Sequence, residues 1–168
     1  MIVSNCDNLE YWTPGNGLIE LDYTNKVEGD ASITLMSDGT NDWVTAAYNP
    51  PYVLNWFGKT ELTVSLNPEV SREVRIWVVD INGNRGIWQL GMIFPGWVDY
   101  TIDLTTPDTV TGALDLSQVD EMLIFYGAVV GNLISIKIDN IRNGPDPPTH
   151  TITINSNPSG IIFNVRRV

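Results

Sequence analysis

One cysteine and one histidine are all that this chain of 168 residues has of either type. With Cys6 alone no intrachain disulfide forms, and the thiol reads as a small buried apolar side chain. His150 stands among prolines near the C-terminus, which leaves the first 142 residues without a Ser-His-Asp or Cys-His arrangement. The same scarcity argues against a zinc site. No nucleophile-elbow, phosphate-loop or paired-cysteine motif occurs either. Cationic side chains are few, nine Lys and Arg against twenty Asp and Glu, for a net charge of -11. Nucleic acid and anionic membrane surfaces both need clustered positive charge, so a neutral ligand or a cation fits this chain better. No apolar run is long enough to cross a bilayer, and no charged-then-apolar leader opens the sequence.

Amphipathic helices of useful length are missing too. In their place are nine short β-rich segments, "GLIELDY", "ASITLMS", "DWVTAAY", "ELTVSL", "VRIWVVD", "GIWQLGM", "WVDYTIDL", "EMLIFYG" and "LISIKIDNI". Gly, Pro, Asn and Asp punctuate them, in "TPGNG", "SDGTND", "YNPPY", "LNPE" and "FPGW". Short strands at this spacing predict an all-β fold, a two-sheet antiparallel β-sandwich or jelly roll. "DLSQVD" reads as one helical turn ahead of its strand. At 43% hydrophobic and 17% charged, the chain has the composition of a globular domain with a sizeable core.

Three prolines in "NGPDPPTH" mark a boundary. The expected organisation is a β domain over 1–142, a proline-rich linker over 143–150, and a short β extension over 151–168. That extension, "TITINSNPSGIIFNV", resembles the opening of PEGA-like domains of prokaryotic surface and secreted proteins through the turn Ser156 to Gly160. Any strand-turn-strand also accounts for it. A modular parent chain follows in either case.

"RIWVVDINGNRGIWQL" reads as a hairpin around Asn82-Gly83. A two-residue loop puts Trp77 opposite Trp88. Trp77, Val79, Trp88 and Leu90 then share one face, and Ile76, Val78 and Ile87 share the other. Both faces are apolar, where a half-exposed antiparallel sheet has one polar face. Either the indole pair belongs to the core, as cross-strand Trp pairs often do, or the second face meets a ligand. In the strand from Trp97, the set Val98, Tyr100, Ile102 and Leu104 is apolar, leaving Trp97 with Asp99 and Thr101 on the polar side. "MLIFY" is apolar at both parities, so Tyr126 faces either way. Trp56 and Phe57 read as an end plug of the sandwich, and Tyr48 as a plug or a rim residue.

Asp99 and Asp103 lie too far apart along one strand for a retaining glycosidase pair, and acids of this kind are ordinarily solvated. A calcium ion takes carboxylate and carbonyl oxygens from loops without a contiguous motif, and Asp7, Glu28 and Asp139 are placed to meet if the first and last strands are neighbours.

Taken in order, "KVEGDASITL", "VRIWVVDINGN", "PGWVDYTIDLTT", "DLSQVDEMLIFY" and "ISIKIDNIR" resemble the jelly-roll carbohydrate-binding modules of the galactose-binding-like superfamily, over roughly residues 3 to 142. The resemblance implies a non-catalytic accessory domain of a glycoside hydrolase or surface protein, secreted or at the cell surface of a prokaryote. It implies one structural calcium held by Asp7, Glu28 and Asp139, with main-chain oxygens near Lys26 and Asp30. Cys6-Asp7 departs from the Phe-Glu or Phe-Asp of many relatives at the first ligand. It also implies a neutral polysaccharide, a β-glucan or related plant-type glycan, lying on a concave sheet face. The expected ligand-binding set is Trp77, Trp88, Trp97, Tyr126, Tyr48, Arg85 and Gln89, with Asn82 and Asn84 nearby, since sugar C–H faces pack on aromatic rings and hydroxyls need polar partners. The expected partners are the polysaccharide and further domains of the same chain, the protein being a monomer that binds neither nucleic acid nor membrane. The alternative is a structural or adhesive β-sandwich, serving as spacer or protein-binding module.

Overall fold

The computed structural model describes residues 1–144; the expected linker and C-terminal hairpin, with His150, lie outside the described residues apart from Asn143 and Gly144. The described chain forms β1 (Ile2–Ser4), β2 (Trp12–Gly15), β3 (Gly17–Asp22), β4 (Ser32–Ser37), β5 (Trp43–Tyr48), β6 (Glu61–Pro68), β7 (Arg72–Asp80), β8 (Arg85–Ile93), β9 (Val98–Asp103), β10 (Thr109–Thr111), β11 (Val119–Gly127) and β12 (Ser135–Asn143). The nine segments read from the sequence are all strands, and "DLSQVD" contains a 3-10 turn at Leu116–Gln118, capped by the Asp115 carboxylate on the Ser117 amide.

Two antiparallel sheets stack as a sandwich. The first runs β3-β4-β12-β6-β9, with β1 pairing onto β12; the second runs β10-β8-β7-β11-β5-β2. Their inner faces supply one core. Ile33, Leu35, Leu62, Val64, Leu66, Ile136 and Ile138 come from the first sheet, and Val44, Ile76, Val78, Met122 and Ile124 from the second, all fully buried. Each of these strands alternates inward apolar side chains with outward ones, as a period of two requires. Trp56 is fully buried and serves as a plug, whereas Phe57 beside it is 81% exposed.

The hairpin differs from the two-residue reading by one position. Asp80 and Asn84 close the loop, through Asp80 N–H to Asn84 O and Gly83 N–H to Asp80 O. Ile81, Asn82 and Gly83 form the loop, with Gly83 in the left-handed region at φ 78°. The Asp80 carboxylate accepts from the amides of Asn82 and Asn84, from Asn84 Nδ2, and from the Asp115 amide of the capped turn. Aspartate at the head of a turn makes this bond to its own backbone two residues on, and here it outweighs the Asn-Gly preference. Trp77 therefore pairs with Ile87, and Ile76 with Trp88. A one-residue slip exchanges faces. Trp88 points into the core, 4% exposed, and its indole N–H donates to the Asp103 carbonyl at 2.7 Å. Trp77 and Ile87 point outward.

Two outcomes follow. Trp88→Ala opens a core cavity and costs about 3–5 kcal/mol in urea unfolding, against about 1 kcal/mol for Trp77→Ala; equal costs would mean that the register is wrong. Burial would raise the pKa of Asp80, yet its donors hold it below the ordinary carboxylate value. A carboxylate lowered on folding contributes fully above its unfolded pKa of about 4 and loses that contribution as pH falls through the lowered value. Asp80→Asn should thus cost about 2 kcal/mol at neutral pH, and the difference from the parent chain should shrink steadily below that unfolded value.

Candidate functional site

The outer face of the second sheet is the part of the fold where aromatic and charged side chains meet solvent together. Outward positions are Arg75, Trp77 and Val79 on β7, Arg85, Ile87 and Gln89 on β8, Glu121, Leu123 and Phe125 on β11, and Trp43, Thr45 and Ala47 on β5. Register sets a diagonal among them. Trp77 lies between Ile87 and Leu123, Phe125 is two residues beyond Leu123, and Trp43 faces Gly127, two residues beyond Phe125. Arg85 continues the line on the other side, two residues before Ile87. Arg85, Trp77, Phe125 and Trp43 thus form a strip that crosses the four strands obliquely.

The strip is packed against itself. The Trp77 and Phe125 rings lie 4.4 Å apart, centroid to centroid, tilted by 38°. The Arg85 guanidinium sits 4.7 Å over Trp77, and the Arg75 guanidinium 4.4 Å over Trp43. Such cation–π contacts contribute about 0.5–1 kcal/mol each at exposed sites. A stacked guanidinium keeps its N–H donors in plane and free for oxygen partners. The indole N–H of Trp77 and the Nε of Arg85 are buried without a hydrogen-bond partner. Glu73 approaches Arg75 at 3.7 Å, and burial pushes the Glu121 carboxyl on the same face above its ordinary pKa, with Asp120 adding to the shift.

At the Trp43 end the strip meets a cavity of about 310 Å³ lined by Asp42, Trp43, Arg72, Glu73, Met92 and Gly127 to Val129. Two loops are joined there, by Ala128 N–H to Asp42 O and Gly131 N–H to Gly39 O. The Nε of Arg72 is a further buried donor without a partner.

Of the expected ligand-binding set, the structure brings Trp77, Arg85 and Gln89 to this face. Trp88 is in the core. Tyr126 and Tyr48 are also buried, their hydroxyls donating to the carbonyls of Val70 and Val3, so their polar tips are satisfied inside. Burial raises the pKa of both phenols. Trp97 precedes β9 on the other sheet, where its indole N–H donates to Asn25 Oδ1 at 2.6 Å. Arg75 and Phe125 were not anticipated, and Trp43 was read only as one ring of the aromatic group in "DWVTAAYNPPYVLNWFG", to rim a site or plug the sandwich end. Parity held the signal for Phe125: Glu121 shares its side of β11, and a charged residue marks the solvent side.

The first sheet's outer face is occupied by polar pairs of its own. Lys137 bonds Asp22, Arg142 bonds Asp99 at 2.7 Å, and Ser65 donates to Asp99. Beside them, Asp7 and Asp139 converge on the β3–β4 loop. Asp139, fully buried, accepts from the amides of Val27, Glu28 and Asn140; Asp7 accepts from those of Asp30 and Ala31 and from Asn5 Nδ2. Gly29 sits at φ 67° against the Asp7 carboxylate, a left-handed position that strains any residue with a side chain. Calcium needs six to eight oxygens. Here the loop turns N–H donors toward the two carboxylates, Lys26 Nζ occupies the Asp30 carbonyl, and Glu28 is exposed, engaging Asp139 through its amide. Among the described residues no three acidic, His or Cys side chains are grouped to hold a metal. As arranged, this set does not fit the ion.

No family model matches the chain, and no curated protein does. Solved structures with the same fold do. An exo-β-agarase matches with a TM-score of 0.68 at 17% identity over 88% of this chain, which spans only 24% of that enzyme. A family 11 carbohydrate-binding module from Clostridium thermocellum, solved with a β-1,3-1,4-mixed-linked tetrasaccharide, matches with a TM-score of 0.64 at 16% identity, covering 85% of this chain and 94% of that one. A family 30 carbohydrate-binding module of a cellulosomal cellulase from the same organism gives 0.61 at 13% identity, covering 82% and 93%. At these identities the likeness is one of fold.

The donor set makes a simple forecast for metal. The melting temperature should be the same in EDTA and in millimolar calcium chloride, because amides already satisfy Asp7 and Asp139. A rise of several degrees with calcium would mean that the loop rearranges around the ion.

Proposed function

We propose that the domain binds a polysaccharide without catalysis, through the outer face of the second sheet. The observation that carries this is the strip of Trp77, Phe125 and Trp43 with two stacked guanidiniums on a face that the fold leaves open. Aromatic edges and apolar side chains suit the C–H faces of sugar rings, while Arg75, Arg85, Gln89, Glu73 and Glu121 suit hydroxyls. A neutral β-glucan or a related plant-type glycan is the favoured ligand. It agrees with the chain's net charge of -11 and with the mixed-linked tetrasaccharide on a module of the same fold. In this reading the domain holds a larger secreted or surface protein, such as a glycoside hydrolase, on its substrate by raising effective concentration.

One observation favours the second reading, a protein-binding module. Leu18 and Leu133, 63% and 76% exposed, border an apolar cavity of about 260 Å³ with Met36 and Ile134 at the edge of the first sheet.

Affinity gel electrophoresis against soluble β-glucans, xylan and mannan separates the two. Retardation by a β-glucan is expected, with Trp77→Ala and Phe125→Ala each weakening it about tenfold, on the order of 1.4 kcal/mol, while melting near the parent temperature. Migration unchanged by every glycan would favour the protein-binding reading.

A further inference from the structure

We infer that the site reads the end of a glycan chain: the terminal sugar seats in the Trp43 cavity, and the following sugars lie back along the strip. This rests on the proposed glycan-binding role of the face and adds a direction to it.

Three observations support it. The centre of the face is already filled, since guanidiniums cover Trp77 and Trp43 and the Phe125 ring packs against Trp77. Little bare ring is left there for internal sugars, and open space beside an aromatic ring lies at the Trp43 end. That space, about 310 Å³, is at the lower limit of small-molecule sites and suits one or two sugar rings rather than a long chain. Beside it, the hydrogen bonds from Ala128 to Asp42 and from Gly131 to Gly39 tie the β4–β5 loop to the β11–β12 loop, so the cavity has a fixed border.

The polar lining matches a terminus. A terminal sugar exposes a hydroxyl that an internal one spends on its linkage, and that group needs a partner when it is buried. Arg72 lines the cavity, its guanidinium held through Nη1 by the Ser71 carbonyl at 3.1 Å, while its Nε has no partner within the fold, an unusual state for a polar atom. Asp42 and Glu73 add acceptors to the same lining. Two carboxylates against one guanidinium also disfavour an acidic terminal sugar. Arg72 is thus the donor for the terminal hydroxyl, the edge of Trp43 the apolar border of the sugar's seat, and the covered strip of Trp77 and Phe125 the floor along which the sugars behind it lie.

Isothermal titration of the full chain with mixed-linkage β-1,3-1,4-glucan oligosaccharides, from the tetrasaccharide upward, and with polymer of known chain length tests this. One protein bound per glycan chain at every length is expected. Arg72→Gln should weaken every ligand at least tenfold, and Trp77→Ala should weaken the longer ones more than the shortest. Borohydride reduction of the oligosaccharides abolishes binding if the reducing end is read; if the non-reducing end is read, binding survives reduction with the single stoichiometry kept. Stoichiometry that climbs with length, with Arg72→Gln binding like the parent, overturns chain-end recognition and leaves glycan binding in place. No heat and no retention with any of these ligands overturns both. Arg72→Gln is judged only after its melting temperature matches the parent, and the stoichiometry of the unmodified protein needs no variant.

Discussion

The hydrogen bonds gathered by the Asp80 carboxylate govern the placement of side chains on two adjacent strands. Three come from the loop between β7 and β8, and one from Asp115 at the head of the 3-10 turn that leads into β11. A buried carboxylate left without such donors costs several kcal/mol, so the loop length is fixed by the need to surround it. Since side chains alternate along a strand, the loop length then decides which indole is core and which is surface. Trp88 becomes part of the packing between sheets, and Trp77 becomes the middle of a half-buried strip on the outer face. The same carboxylate ties the hairpin tip to the start of β11, the strand that brings Phe125 beside Trp77.

The two outer faces are unequal for a reason visible in their side chains. On the first sheet, Lys137, Arg142 and Ser65 are engaged with Asp22 and Asp99, and the β3–β4 loop is drawn in by Asp7 and Asp139. Its cations are used in holding the fold together. On the second sheet, Arg75 and Arg85 sit over indoles, with Glu73 approaching Arg75 at 3.7 Å. Three of the four arginines among the described residues, Arg72, Arg75 and Arg85, are in this sheet. In a chain this acidic, that concentration gives the face hydrogen-bond donors without giving the molecule an anion-binding surface.

Nine of the twelve strands and the short turn at Leu116 were legible in the sequence because each of those strands has its own run of apolar residues and its own turn residues; the short β1, β2 and β10 have no such pattern and were missed. Face assignment was not, wherever it depended on a loop. Asn82-Gly83 advertised a two-residue turn, and only the competing side-chain bonds of Asp80 moved it by one. The tyrosines misled for a different reason. Their hydroxyls look like binding groups, yet the carbonyls of Val3 and Val70 receive those of Tyr48 and Tyr126 inside the fold. The convergence of Asp7 and Asp139 was foreseeable from neighbouring first and last strands, and β1 does pair with β12. What they converge on was not foreseeable, because backbone amides leave no trace in residue spacing. Trp43 was seen as aromatic but not placed, since its strand's register depends on β11.

β12 is hydrogen-bonded to β6 on one side and to β4, then β1 beyond its bulge, on the other. The chain leaves it at Asn143, whose amide is bonded to the Met1 carbonyl. A domain anchored at its opposite sheet and pulled from Gly144 is therefore loaded along the axis of an interior strand. In that geometry the ladders on both flanks resist in shear together rather than opening one bond at a time. Mechanical strength then resides in one layer of the sandwich, and the face proposed for glycan binding belongs to the other, so a load drawn through Gly144 passes beside that face rather than through it.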